Sequence, residues 1–282
     1  MKKIAIIGAN SILAQAIYNK LSINNDVLQV YNTRKDRIKN QNNLETISDF
    51  LSKKEKFHTI YFLSSVIDFN ESRESIQNIF ETNVNLLAQI SENFPESKII
   101  HASSVSVYKN NQKEITENSE LNPQSSYSIS KIWAEKITNN HVGGGINIRI
   151  SSLFGENMNQ TTFLPKVIQN AINTKEIIIF GDGSRKQNYI SETEAAEYFC
   201  AALDYKENGT FLAVNSKSYS NLEVAQIIQQ KLKGTTLKFT GIDESPSFIY
   251  DNNQTKTELK ITEEYPFSNS LSTLIEWTQK QF

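Results

Sequence analysis

Ile4-Ala5-Ile6-Ile7-Gly8-Ala9-Asn10-Ser11-Ile12-Leu13-Ala14 runs from a short apolar strand through a turn into the first residues of a periodic helix. A tight turn at such a junction aims free backbone N–H groups and the helix N-terminus beyond the strand end, where dinucleotide folds place a pyrophosphate. The loop holds one glycine, Gly8. Ser11 and Ala14 stand where a Gly-x-x-Gly-x-x-Gly spacing would put the other two, and both are small enough for close backbone approach. Read alone, Gly8 also fits a plain turn after a first strand.

Working outward, Val27–Tyr31, Thr59–Leu63, Lys98–His101 and Ile146–Ile150 read as further buried strands. Between them Ile12–Leu21, Ser72–Asn93 and Ser125–Asn140 carry apolar residues at helical spacing; Ile76, Ile79, Phe80, Val84, Leu87 and Ile90 line one face of the second. Alternating strands and helices make a parallel sheet covered by crossover helices. The expected fold class is therefore α/β, a Rossmann-type doubly wound parallel sheet. Beyond Arg149 the elements shorten: a helix near Phe163–Ile172, a strand at Ile177–Phe180, then helices near Glu192–Leu203, Leu222–Leu232 and Leu271–Gln281. The expected organisation is a cofactor domain over 1–154, with 188–214 returning to it, and a smaller mixed α/β substrate lobe over 155–187 and 215–282.

Composition narrows the class. The chain has 282 residues, 38% of them hydrophobic and 21% charged, a balance suited to a globular protein rather than a disordered or membrane-embedded one. With 29 basic against 31 acidic residues and no basic run, a nucleic-acid surface is not expected. Cys200 has no internal disulfide partner, and His58, His101 and His141 lack metal-ligand spacing, so no metal site is expected. The N-terminal apolar run is too short for a secretory signal, and no run reaches membrane-spanning length; a cytoplasmic location is the default expectation. Cys200 shares an apolar helical face with Ala196, Phe199 and Leu203 and reads as a buried structural thiol, while His101 reads as a packed strand residue. Gly143-Gly144-Gly145 precedes a strand rather than a helix and reads as a tight connection.

The residues after the second strand, Asn32-Thr33-Arg34-Lys35, include no carboxylate before Asp36. An acidic group there favours NAD by binding the ribose, whereas a cation accommodates the 2′-phosphate of NADP. Thr33 and Arg34 thus favour NADP over NAD; a solvated basic turn explains the same residues.

The strongest chemical signal is Tyr127-Ser128-Ile129-Ser130-Lys131. Four-residue spacing places phenol and ammonium on one helix face, and a nearby cation should lower the phenol's pKa toward working pH. Such a tyrosine exchanges protons. Upstream, a strand ends in Ala102-Ser103-Ser104-Val105-Ser106-Val107-Tyr108, placing hydroxyls at the carboxyl sheet edge where open α/β sheets bind ligands.

With Ser103, Ser104, Val107, Tyr108, Tyr127 and Lys131 in this order, the chain resembles the extended short-chain dehydrogenase/reductase family, the NAD-dependent nucleotide-sugar epimerase/dehydratase group. Further similarity lies in Asn83-Val84, in Arg149 through Gly155, in Gly181-Asp182-Gly183-Ser184 with Tyr189-Ile190, and in Thr255–Leu259, Pro266 and Trp277. The resemblance implies that Ser104 hydrogen-bonds the reacting oxygen, Tyr127 is the acid/base, and Lys131 tunes Tyr127 and holds the nicotinamide ribose. It implies a cofactor set of Gly8, Asn10, Ser11, Ile12, Thr33, Arg34, Leu63, Ser64, Asn83 and Lys131, and substrate contacts from Ser103, Asn159 and Arg185. It also implies a homodimer packed through the helices at Ser72–Asn93 and Tyr127.

Departures matter. Dehydratases of the group carry Asp-Glu after the serine, where this chain has Val105-Ser106, so dehydration is not expected. The arginine that often meets a nucleotide diphosphate is replaced in Gln187-Asn188-Tyr189, with Arg185 two positions earlier, and no arginine occurs in Glu244–Phe248. Arg185 and Lys186 fit two readings, a shift to that role or a solvated turn. The expected activity is hydride transfer at a nucleotide-activated sugar, at carbon 4, either as ketone reduction with NADPH, which is favoured, or as 4-epimerisation with tightly held NAD. A cofactor-sensing or scaffold protein without catalysis is the third reading.

Overall fold

The computed structural model describes residues 1–53, 55–109 and 114–281. Strands buried on both faces need apolar residues at nearly every position, and β1 (Lys3–Ile7) has them: Ile4, Ala5 and Ile6 have no solvent exposure. After α1 (Ile12–Leu21), β2 (Asp26–Tyr31) pairs with β1 on one side, Ile4 opposite Val27. β3 (Leu44–Thr46) and α2 (Ile47–Ser52) follow, then β4 (Thr59–Phe62) pairs on the other side of β1, Ile4 opposite Thr59.

Three helical pieces come next: α3 (Arg73–Phe80), a π-helical turn over Glu81–Asn85, and α4 (Leu86–Asn93). β5 (Lys98–Ser104), α5 (Ser126–Asn139) and β6 (Gly145–Ile150) complete this half. The chain continues through β7 (Ser152–Phe154), α6 (Phe163–Asn173), β8 (Glu176–Phe180), β9 (Lys186–Gln187), β10 (Tyr189–Ser191) and α7 (Glu192–Ala202). It ends with β11 (Gly209–Ala213), β12 (Tyr219–Ser220), α8 (Asn221–Lys231), β13 (Thr236–Thr240), α9 (Asn253–Glu258) and α10 (Phe267–Gln279). The main sheet is seven-stranded in the order β11-β6-β5-β4-β1-β2-β3, and its pairings are parallel. Strand order reverses between β1 and β4, so a crevice opens at their carboxyl ends.

Each face of the sheet has its own core. On one, Leu13, Ile17 and Tyr18 of α1 meet Tyr198 and Phe199 of α7. On the other, Phe50, Phe57, Leu87, Ile90 and Phe94 pack together, with Phe50 stacked on Phe94 at 4.6 Å between ring centroids. Burying each such ring contributes about 1.5–3 kcal/mol. A third core joins α6, α8 and α10 to β8: Ile168, Ile228 and Leu271 are fully buried, and the rings of Tyr219 and Tyr189 lie 4.5 and 5.6 Å from Phe267.

Several elements differ from the sequence expectation. The helix expected over Ser72–Asn93 is interrupted by the π turn, because hydrophobic periodicity does not register one extra residue in a turn. β3, α2, β11, β13 and α9 were not foreseen; β13 reads Thr-Leu-Lys-Phe-Thr and is exposed at every position but Leu237, so its apolar signal is weak. Within the stretch assigned to the substrate lobe, residues 250–259 pack instead on the main sheet: Tyr250 bridges to Ile115, and the Thr255 hydroxyl accepts the N–H of Leu212 at 2.8 Å. Among the described residues no helix is long and apolar enough to cross a membrane.

Candidate active site

Tyr127 sits in the first turn of α5, whose start is set by a capping box. The Ser125 hydroxyl accepts the N–H of Ser128 while the Ser128 hydroxyl accepts the N–H of Ser125. Glu71 braces the same turn, its carboxylate accepting the N–H of Ser126 at 3.0 Å and the Ser126 hydroxyl. One turn on, Lys131 is 2% exposed and donates from Nζ to the Ala102 carbonyl at 2.8 Å. The ammonium lies 5.6 Å from the Tyr127 ring centroid. Burial pushes Lys131 down to about 7, opposed by Glu135.

The expected lowering of the phenol by Lys131 is corrected here. Burial pushes Tyr127 above its ordinary value, and the groups opposing that rise are the hydroxyls of Ser104 and Ser65 rather than the lysine. The physical reason is that the Lys131 ammonium lies over the ring and bonds the Ala102 carbonyl rather than the phenol oxygen.

Alternation along β5 separates the two serines. Ser104 faces Tyr127 and accepts the N–H of Ser106 at 3.1 Å. Ser103, expected to meet substrate, is turned inward: 3% exposed, it donates to Glu135 Oε1 at 2.6 Å. Glu135 in turn holds Arg149 through Nε at 2.8 Å and Nη2 at 2.7 Å, and Arg149 Nη1 donates to the Tyr108 hydroxyl at 2.7 Å and the Glu117 carbonyl at 3.1 Å. This buried ion pair anchors α5 to β5 and β6.

At the turn after β1, Gly8 has φ +88°, and a Cβ there would lie 2.6 Å from the Ser64 nitrogen and 2.9 Å from the Leu63 carbonyl carbon. Only glycine permits that approach. The N–H groups of Gly8 and Ala9 bond to Val30, and Ser11 caps α1 by accepting the N–H of Ala14 at 3.1 Å. Among the described residues no partner takes the N–H of Asn10, Ile12 or Leu13. Free donors at a helix N-terminus beside a glycine-only approach fit the phosphates of a dinucleotide.

Thr33 and Arg34 are exposed just beyond β2, and Arg34 is already paired: Nε lies 3.3 Å from Asp36 Oδ1. Asp36 also accepts from Asn10 Nδ2 at 3.1 Å, and Asn10 Oδ1 accepts the N–H of Arg37 at 2.9 Å.

Asn83 projects from the π turn. Its Oδ1 accepts the N–H of Val66 at 2.8 Å, and its Nδ2 donates to the Val66 carbonyl and the Ser130 hydroxyl, both at 3.0 Å. Asn159 is exposed and turned on itself, accepting from the N–H and hydroxyl of Thr161. Arg185 donates from Nε to the Pro246 carbonyl at 3.4 Å and lies 3.9 Å from Asp243. Neither shares a hydrogen bond or ion pair with Ser104, Tyr127 or Lys131 among the described residues. Gln187, in the position of the replaced arginine, donates to Asn221 at 3.1 Å.

The Cys200 thiol is pushed up to about 12 by burial, and His101, fully buried on Asn147, is pushed down to about 3 by the same cause, so both fit packing roles. Among the described residues no cluster suited to a metal occurs. Sequence reasoning missed Glu135, Ser65 and Glu71. The first had a readable signal, lying four residues past Lys131 on the same helix face; the others act across the fold and had none.

The chain is 25% identical over 187 residues to dTDP-4-dehydro-6-deoxyglucose reductase of Escherichia coli, a match covering 62% of the chain and 59% of that enzyme's length. It is 25% identical over 258 residues to a putative UDP-glucose 4-epimerase of Methanocaldococcus jannaschii, covering 81% of the chain and 82% of the relative. UDP-glucuronic acid 4-epimerase from Bacillus cereus, solved with UDP-glucuronic acid and NAD, superposes with a TM-score of 0.85 at 17% identity, over 99% of this chain and 100% of that one, and so shares the fold. The sequence model of the NAD dependent epimerase/dehydratase family matches residues 4–215, well over half the chain, and the protein belongs to that family.

Proposed function

We propose that the protein interconverts epimers at carbon 4 of a nucleotide-activated sugar, using bound NAD. The observation that carries this reading is the buried Tyr127 phenol facing the Ser104 hydroxyl at the carboxyl edge of a parallel sheet, with Lys131 on the same helix face. NAD supplies the hydride acceptor when it is bound against Gly8, Asn10, Ser11, Ile12, Leu63 and Ser64. Tyr127 takes the proton from the sugar hydroxyl and returns it, Ser104 orients the reacting oxygen, and Lys131 would hold the ribose of the bound dinucleotide. Burial excludes water from the proton transfer.

The expected NADP preference is not carried forward, because a 2′-phosphate beside Arg34 would meet the Asp36 carboxylate that already engages the guanidinium. A redox-neutral cycle with NAD is the chemistry consistent with that pairing. Net ketone reduction is the second reading, favoured by the similarity to the Escherichia coli reductase.

The test is a melting-temperature screen with NAD, NADP and UDP-, dTDP- and GDP-sugars, followed by NMR of the sugar. NAD at about 100 times its Kd should raise stability by about 2.7 kcal/mol, or roughly 4–5 °C, and more than NADP at the same concentration. A new epimer should then form without added reductant. Turnover only with NADPH would select the reductase, and no shift with either dinucleotide would overturn both readings.

Ile76, Phe80, Ile129 and Trp133 are 42%, 41%, 49% and 54% exposed on α3 and α5, and the Phe80 ring meets Trp133 edge-on at 5.7 Å. We propose that this apolar face pairs with a second copy of the chain. Trp133→Asp should convert a dimer to a monomer in light scattering at micromolar concentration; a wild-type monomer under those conditions would refute the pairing.

A further inference from the structure

Among the described residues four buried side-chain polar atoms lack a hydrogen-bond partner, and one of them, Ser65 Oγ, stands in the site just described. Its neighbours are unusually well held. Leu63 donates its N–H to Ile7 at 2.9 Å, and Asn83 grips both backbone groups of Val66. The same Asn83 amide reaches Ser130, whose hydroxyl donates to the carbonyl of Tyr127 at 2.7 Å. Farther along, the ring of Phe69 meets the Tyr127 ring edge-on at 6.0 Å, and Glu71 grips Ser126. The segment 63–71 is thus tied to β1 at Leu63 and to the helix that carries Tyr127 through Asn83 at Val66 and directly at Glu71.

Leaving a buried hydroxyl unpaired is unfavourable, so a clamped one is informative. Here the natural acceptor is one that exists for only part of the reaction. A phenol already has its own proton, whereas a phenolate oxygen is a strong acceptor able to take bonds from two hydroxyls.

We propose that Ser65 is a positioning residue for proton transfer, donating from Oγ to the Tyr127 oxygen while that oxygen is deprotonated, together with Ser104. The inference rests on the reading of Tyr127 as the acid/base. It accords with the direction in which the Ser65 hydroxyl acts on the phenol, opposing the rise that burial causes. No bond is made or broken at Ser65; the proton moves between substrate and Tyr127.

The test uses Ser65→Ala and, as the hydroxyl-keeping variant, Ser65→Thr, in protein labelled at tyrosine Cζ. The Tyr127 resonance is assigned by its loss in Tyr127→Phe and followed with pH in the absence of substrate. Ser65→Ala should move the onset of its titration up by about 1 pH unit, with Ser65→Thr restoring it. Turnover at pH 7 should fall about 10-fold with KM and NAD affinity unchanged, the limb of the kcat–pH profile moving with the resonance. The melting temperature should not fall, because no hydrogen bond of the resting protein is lost. An unmoved resonance and limb, or a lowered melting temperature with an unmoved limb, would overturn the proposal. Undiminished turnover in Tyr127→Phe would instead overturn the acid/base reading, and the resonance would still report whether Ser65 engages the phenol.

Discussion

Tyr127→Phe lowers turnover about 10²–10⁴-fold while leaving NAD affinity within about twofold, the range that loss of a positioned acid/base produces. The substitution removes one oxygen and keeps the ring. The edge-on contact with Phe69 and the backbone bond from Ser130 to the Tyr127 carbonyl both survive it. Lys131 also stays in place, because its ammonium bonds the Ala102 carbonyl rather than the phenol. Cofactor affinity by calorimetry and turnover by NMR are therefore separable readouts. Loss of both together would mean that the fold had been damaged, and retention of both would remove Tyr127 from the chemistry.

Breaking the buried ion pair is the second large effect. In Glu135→Leu the Arg149 guanidinium keeps its place 5% exposed but loses two charge-assisted bonds, and the Ser103 hydroxyl loses its acceptor. Removing one partner of a buried pair costs about 3–5 kcal/mol, because the other charge is left desolvated and unmatched. The damage spreads along Arg149 to Tyr108 and to the Glu117 carbonyl, and the Glu117 carboxylate accepts from the N–H and hydroxyl of Thr255 at the start of α9. Urea unfolding should show the full loss for Glu135→Leu and a much smaller one for Glu135→Leu combined with Arg149→Leu, since an apolar pair of similar size carries no desolvation penalty. Equal losses in single and double variants would show that packing volume, not charge, sets the stability here.

The two halves of the chain differed in how much could be read in advance. Strands β1, β2, β4, β5 and β6 were legible because burial on both faces demands unbroken apolar runs, and α1 and α5 because their apolar stripes repeat at helical spacing. β13 was not, because a strand of a two-stranded ribbon exposed on both faces has no such demand on it. The π turn at Glu81–Asn85 was hidden for a different reason: the side chain that exploits it, Asn83, bonds a backbone segment 17 residues away.

In the candidate site, Tyr127 and Lys131 stand out by their local spacing and Ser104 by the family resemblance, and their association with a strand end and a helix start is a property of neighbouring residues. What surrounds them is not local. Ser103 and Ser104 look equivalent in sequence, and only the direction in which β5 presents each one sends Ser103 to Glu135 and Ser104 to Tyr127. Arg34 looks like a free cation until the turn after β2 folds Asp36 against it.

The sequence by itself determined the five central strands of the sheet, the turn after β1 and the tyrosine–lysine helix, because each is written in periodicities and steric requirements spanning a few residues. Tertiary structure alone decided the charge and proton economy of the site. Pairing Glu135 with Arg149 and bringing Ser65 to Tyr127 depends on strand order and on which segments are clamped together. Burial in that arrangement, rather than the residue types, raises the phenol and brings the lysine down to about 7. Desolvation is a property of everything packed around a group, and no short stretch of chain contains it.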